Sequence, residues 1–422
     1  MNICTRLKCD TCSTLIDCRI GMSNRDIQPF QFACPSCGEV IMFTLGTQES
    51  NLSGAIEIKN FKGLFDGQNP FVDLHLDFPA SFETYKMGGT TYMKAVEELG
   101  AEAIGNLSYR LSMLNLLYSK QRDLQRLITQ YKRGNIKSFK KICNDFEIPE
   151  ITLKSEKKED VLAALYSVTS IMSSPITIHA QNEELSKKIP LILQDLYEKY
   201  NKNTTNFVNK IIENQFLENL HHDCLDLYPN IVSLDLPIRP TLYYDYINSS
   251  EHSKVPARVS TSDFGTCSNF YKDLAEVFSR QLVLLAGLNN LHNRGDHDLF
   301  DDKVRLNKKG KIIKEFSSLN SYANVDLGKK LGAIDNPFYQ IDKQAIDNNL
   351  RNSIAHYKYD YDEASQQIAY YPKKEGMQRN IEHSLYFIQF MRKTLLLFRE
   401  VHNLNHVIKS LLYFKIFILR KE

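Results

Sequence analysis

From residue 90 onward, apolar residues recur every three or four positions, the period of a helix that buries one face. Leu107, Leu111, Leu114 and Leu117, then Leu124, Leu127 and Tyr131, mark one side of residues 90–133, read as two helices meeting near residue 107. Helices follow over residues 160–172, 182–200 and 203–221. Phe270, Leu274, Val277, Leu284, Leu288 and Leu291 predict a longer one, with Gln281 a single polar position in the stripe. Thr261, Ser262 and Asp263 are its N-cap choices, and Asn293–Arg294–Gly295 its C-cap. A helix of about 16 residues is read within 341–358. The final helix carries Ile388, Met391, Leu395, Phe398, Val401, Leu404, Ile408 and Leu411 in one register.

Two regions break that period. The first 85 residues hold short strand-like runs separated by Gly, Asn and Pro. Residues 303–314 read as a strand–turn–strand around Lys309–Gly310, and the Pro- and Tyr-rich residues 227–250 as a linker or irregular cover. The expected fold is mainly α: a β module over 1–85, a helical middle domain over 86–255 and a C-terminal helical bundle over 256–422. Only 18 glycines in 422 residues agree with a helix-rich chain.

Charge adds little at first. Fifty-two Lys and Arg against 50 Asp and Glu leave +2, so the whole chain is no polycation. No run of about 18 apolar residues predicts a membrane span, and the N-terminus has no apolar core of signal-peptide length. A cytoplasmic, reducing location is expected, with no membrane partner. Six of the nine cysteines fall in the first 37 residues, where they read as metal ligands rather than bridges. Cys9-x2-Cys12 and Cys34-x2-Cys37 each let two thiolates point at one centre, and together they complete a tetrahedral four-sulfur set. Such a closed set leaves no position for water, so structural zinc is the expected cofactor, stapling a segment too small to hold itself. Pro35 and Gly38 suit the turn. Cys4 and Cys18 are spare, and either can substitute for one of the four. The module reads either as a zinc ribbon that touches nucleic acid or a partner, or as a stapled cap.

Arg351-Asn352-Ser353-Ile354-Ala355-His356 lies in a polar, amphipathic helix and is the one Arg-x4-His pair in the chain. Its chemistry suits RNA cleavage without a metal. Imidazole titrates near neutral pH and takes the proton of a ribose 2′-hydroxyl, which attacks the adjacent phosphate. Arginine offers fixed charge to the transition state. In a straight helix the two side chains stand about 140° apart, so they meet only if the helix ends or bends, or if two chains face each other. The run LRNSIAHYKY resembles the signature of the HEPN superfamily, helical bundles with an Arg-x4–6-His motif commonly followed at the Arg by Asn, Asp or His. The resemblance covers roughly residues 262–422. It implies an endoribonuclease, dimeric, of prokaryotic toxin–antitoxin or anti-phage systems, with Arg351 and His356 catalytic, Asn352 supporting them, and no cofactor for catalysis. Members paired with a nucleotidyltransferase antitoxin carry Tyr two residues after the His; here that position is Lys358.

Two basic segments are candidate RNA contacts. Residues 106–142 carry nine Lys or Arg against Asp123, interleaved with Tyr and Phe, and Arg110, Arg122, Arg126, Lys132 and Arg133 are the candidates there. Residues 303–314 hold six basic residues and no acid, with Lys308, Lys309 and Lys311 at the turn. His221, His222, Asp223 and Cys224 are ligand types, but neighbours at a helix end do not converge on one ion. The leading expectation is an RNA-cleaving homodimer with an antitoxin or other defence protein as possible partner. The alternative is a non-catalytic adaptor that binds RNA or a partner.

Overall fold

A computed structural model describes residues 2–47, 51–59, 61, 64–148, 151–247, 256–261, 263–372 and 382–420. The chain is mainly α and forms two compact units. The first comprises Met1–Ser119, Ser233–Phe270 and Asn349–Leu395; the second comprises Lys120–Val232, Tyr271–Asn348 and Leu396–Glu422.

The first unit contains all the named strands. β1 (Asn2–Cys9), β2 (Leu15–Gly21), β5 (Ala55–Glu57) and β6 (Phe71–His75) form a sheet in the order β5-β1-β2-β6. β1 is antiparallel to β2 and β5, and β2 is parallel to β6. β3 (Gln28–Ala33) and β4 (Val40–Leu45) make a separate hairpin in which Phe30 faces Phe43. The period-two alternation of β1 puts Thr5, Leu7 and Cys9 inside. Leu7, Ile16, Ile20, Phe30, Phe32 and Ile41 share one apolar cluster, each no more than 3% exposed. β7 (Ala80–Ser81) pairs with β8 (Ala257–Arg258). Helix Thr91–Ser119 is kinked at Gly100 (φ 78°, ψ 170°), so the break falls there rather than near residue 107.

Residues 227–250 are neither linker nor loose cover where the structure describes them. They continue helix Phe216–Ser233 into a short helix, Asp235–Ile238, and a 3-10 turn, Arg239–Asp245. Arg239 is fully buried there. Its guanidinium donates to Asp77 at 2.7 Å and to Asn115 and Asn24, each at 2.8 Å, so the ion pair is embedded in further hydrogen bonds. Residues 248–250 lie outside the described residues.

A three-stranded sheet was not foreseen. β9 (Tyr359–Asp362), β10 (Gln367–Tyr370) and β11 (His383–Tyr386) follow the Arg–His motif in a stretch rich in tyrosine, in the order β11-β10-β9. Asp263 caps helix Phe264–Arg294 by accepting from the Thr266 N–H at 3.1 Å. Ser262 lies outside the described residues.

The second unit is helical. Gln121–Lys132, Ile136–Asp145, Lys158–Thr177, Asn182–Lys199, Asn201–Glu213 and most of Phe216–Ser233 belong to it, with the later part of Phe264–Arg294 and of Phe387–Phe417. The single helix expected over 203–221 is two, broken at Gln215, whose φ is 55°. The apolar stripe of the final helix is buried throughout, from Ile388 to Leu411, at 2% exposure or less. Gln281 is the polar position that the long stripe has to accommodate. It is buried, and its Nε2 donates to the Val401 carbonyl at 2.9 Å. The strand–turn–strand expected at 303–314 shrinks to one bridge, Leu306 to Ile312, around a turn at Gly310; Asp302–Arg305 is helical instead. Among the described residues, no helix is long and apolar enough to cross a membrane.

Candidate metal centre and the Arg–His helix

Both Cys-x-x-Cys sequences form hairpin turns. Cys9 ends β1 and Cys12 precedes β2; Cys34 follows β3 and Cys37 precedes β4. The four sulfurs lie within 4.8 Å of one another, with Cys9 to Cys37 and Cys12 to Cys34 at 3.7 Å. A tetrahedral set around an ion at about 2.3 Å places neighbouring sulfurs about 3.8 Å apart, so these residues fit a metal ion. Among the described residues this is the one His, Cys, Asp or Glu group whose ligand atoms converge. Cys4 and Cys18 stand outside it. Cys18 is sealed in the core, and burial pushes its thiol well above the ordinary range.

The surroundings already bias one thiol toward ionisation. The Thr14 hydroxyl and backbone bring Cys12 down to about 6. At Cys37 the Glu39 N–H pulls downward, but Cys12, burial and the other thiols together push it up to about 12. Four thiolates this close repel one another unless a cation compensates them, which is the electrostatic case for a metal here.

Arg351 and Asn352 lie on helix Asn348–Ala355, eight residues where a longer helix was expected. The apolar side supplies only Leu350 and Ile354, both buried. The helix stops because Tyr357 turns left-handed (φ 55°), and the Lys358 N–H donates back to the Ser353 carbonyl at 2.8 Å. The His356 N–H still reaches the Asn352 carbonyl at 3.1 Å, so His356 sits at the helix terminus. Its side chain is exposed, Asn352 is exposed and Arg351 is half-buried. Arg351 Nη1 donates to Asn352 Oδ1 at 3.2 Å.

The basic candidates separate into different environments. Arg110 does not belong to a basic face: it is 3% exposed and paired with the buried Asp245 at 2.7 Å. Lys132 is half-buried and tied to Asp226 at 2.5 Å. Arg126 is exposed and pairs with Asp123 at 2.9 Å. Arg122, Arg133, Lys308, Lys309 and Lys311 are exposed. Helix periodicity could not reveal Arg110's fate, because its partner lies 135 residues away in sequence.

No protein-family model, curated protein or solved structure matches this chain.

Proposed function

We propose that this chain is an endoribonuclease in which His356 is the general base and Arg351 the transition-state stabiliser, with Asn352 orienting Arg351. The observation that carries the reading is the helix terminus itself: Arg351, Asn352 and His356 occupy one short helix end, with the imidazole exposed to an incoming strand. In the proposed step His356 takes the 2′-hydroxyl proton, O2′ bonds to phosphorus, and the bond to the 5′ oxygen breaks. The departing 5′ oxygen takes a proton, from His356 or from water, and His356 returns to its neutral form by giving up the proton it took. The products are a 2′,3′-cyclic phosphate and a 5′-hydroxyl. The internal nucleophile is why no catalytic metal is required. Arg122, Arg126 and Arg133, with Lys308, Lys309 and Lys311, supply candidate contacts to an RNA backbone. The cysteine quartet holds structural zinc in a zinc-ribbon module, and two copies of the chain assemble as a dimer in a prokaryotic defence or toxin system.

The test is cleavage of single-stranded RNA by purified protein in EDTA, with end-group analysis. Arg351→Ala and His356→Ala should each lower the rate at least about a hundredfold. Unchanged cleavage in both variants overturns the assignment. Salt-sensitive RNA binding without cleavage in the wild type would favour a binding adaptor instead.

A further inference from the structure

The second unit contains a cavity of about 450 Å3, bounded by residues 131–136, 156–162, 212–222 and 412–416. That volume lies within the usual range of small-molecule sites, about 300–1,000 Å3. Val161, Leu162, Leu217 and Ile416 give it apolar walls. His221, 1% exposed, also lines it, and its Nε2 has no hydrogen-bond partner. A buried polar atom left in that state costs about 1–3 kcal/mol, which a ligand recovers where its polar edge reaches that nitrogen. Burial pushes the imidazole down to about 3, so it stays neutral at physiological pH.

The aromatic surroundings favour a flat partner. Tyr131 meets His221 edge-on at 5.6 Å, and Tyr166 stacks with His221 at 5.7 Å and 19°. His222 and Tyr131 both line the cavity. Lys158 is exposed and Lys415 half-exposed along its lining, and neither enters an ion pair among the described residues, whereas Lys132 is held by Asp226. Glu156 and Glu218 also line the cavity, but Glu156 pairs with Lys140 at 3.9 Å, which leaves Glu218 as the acid facing these two lysines. A saturated lipid tail would leave His221 Nε2 unmet. A metal ion lacks a converging ligand set here.

We propose that this cavity is a mononucleotide-binding site, in which a nucleobase presents its polar edge to His221 and the phosphate rests against Lys158 and Lys415. This inference is independent of the Arg351–His356 reading. Titration calorimetry on the full chain with AMP, GMP, CMP and UMP tests it. At least one should bind with a dissociation constant below ~1 mM, and adenosine or inorganic phosphate alone should bind at least about tenfold more weakly. His221→Phe keeps a ring and removes the unmet nitrogen. It should leave the thermal midpoint unchanged or raised, yet weaken nucleotide binding at least about tenfold. The Lys158→Glu/Lys415→Glu variant should weaken binding as much without shifting the midpoint. Absence of binding by all four nucleotides overturns the proposal, and so does wild-type affinity in both variants.

Discussion

Ser13 and Gly38 occupy the same place in two matching turns. The Cys9 N–H donates to the Thr14 carbonyl and the Ser13 N–H to the Cys9 carbonyl, each at 3.0 Å. The Cys34 N–H donates to the Glu39 carbonyl at 2.7 Å and the Gly38 N–H to the Cys34 carbonyl at 2.9 Å. Both residues are left-handed, with φ of 59° and 78°. That reversal, one residue past the second cysteine of each pair, lets the backbone close over the sulfurs. A side chain at φ > 0 costs roughly 1–2 kcal/mol, so Gly38→Ser should destabilise the loaded protein by about 1 kcal/mol. A Cβ at Gly38 meets nothing within 4 Å, so the cost is backbone strain rather than a clash. Ser13→Gly should be neutral or stabilising by up to about 1 kcal/mol, because relief of strain opposes a more flexible unfolded chain. Denaturant titration followed through the absorbance of bound cobalt reads both.

The quartet should bind one metal ion per chain. Cobalt substitution should give intense sulfur-to-cobalt charge-transfer bands and tetrahedral d–d bands. Cys12→Ser and Cys37→Ser should each lose most of the bound metal and lower the thermal midpoint. Cys4→Ser should keep the full complement, because its sulfur lies outside the cluster. Equal metal loss from Cys4→Ser would contradict the assignment of ligands.

The cysteine cluster was the most legible part of the sequence, because a tight turn joins each pair of cysteines and two pairs suffice to bring four sulfurs together. The long helices were legible for a similar reason. Ile388 to Leu411 keep one register over more than six turns, and every marked position is buried. What escaped was governed by distant contacts. Residues 239–245 look like a linker because Pro240, Tyr243 and Tyr244 dominate them, yet Arg239 is pinned by Asp77, Asn24 and Asn115, far away in sequence. The basic stretch around Arg110 looks uniform for the same reason, since a sequence shows the charge and not Asp245 opposite it. The Arg–His helix was overextended chiefly at its start, where residues 341–347 are not helical, and by a few residues past the stop that the left-handed Tyr357 provides without glycine.

The second unit should lose stability on acidification. Burial pushes His221 and His402 down to about 3 and His406 to about 4. Their contribution is full above an unfolded value of about 6.5 and is lost as pH falls toward the folded values. Glu400 acts oppositely. Burial raises it to about 7, with Tyr339 Oη donating to it at 2.7 Å, so its contribution is full below about 4.5 and lost as pH rises toward 7. From these four groups, between about 4.5 and 6.5 unfolding takes up three protons and releases one, a slope near 3 kcal/mol per pH unit, and His222 and His297, also held down by burial, act in the same direction. Urea unfolding at several pH values measures that slope. Glu400→Gln keeps an acceptor for Tyr339 and removes the opposing proton. It should steepen the slope by about 1.4 kcal/mol per pH unit and stabilise the protein above pH ~7. A slope unaltered by this substitution would rule out Glu400 as the opposing group.

The absence of tryptophan from the chain makes a direct probe of the Arg351–His356 end possible. Tyr357 follows His356, is 77% exposed and already sustains a left-handed backbone. Tyr357→Trp therefore introduces a single indole beside the proposed catalytic base at little cost to folding. In a His356→Ala background, which prevents turnover, single-stranded RNA binding at this end should quench the indole fluorescence through base stacking, a contact worth about 1–3 kcal/mol per base. Rising salt should reverse the quenching as phosphate contacts are lost. Quenching without cleavage by the His356-containing protein would leave an RNA-binding surface and remove the nuclease. Cleavage by that protein with no change in fluorescence would place the bound strand away from Tyr357, on a path that reaches His356 from its other side.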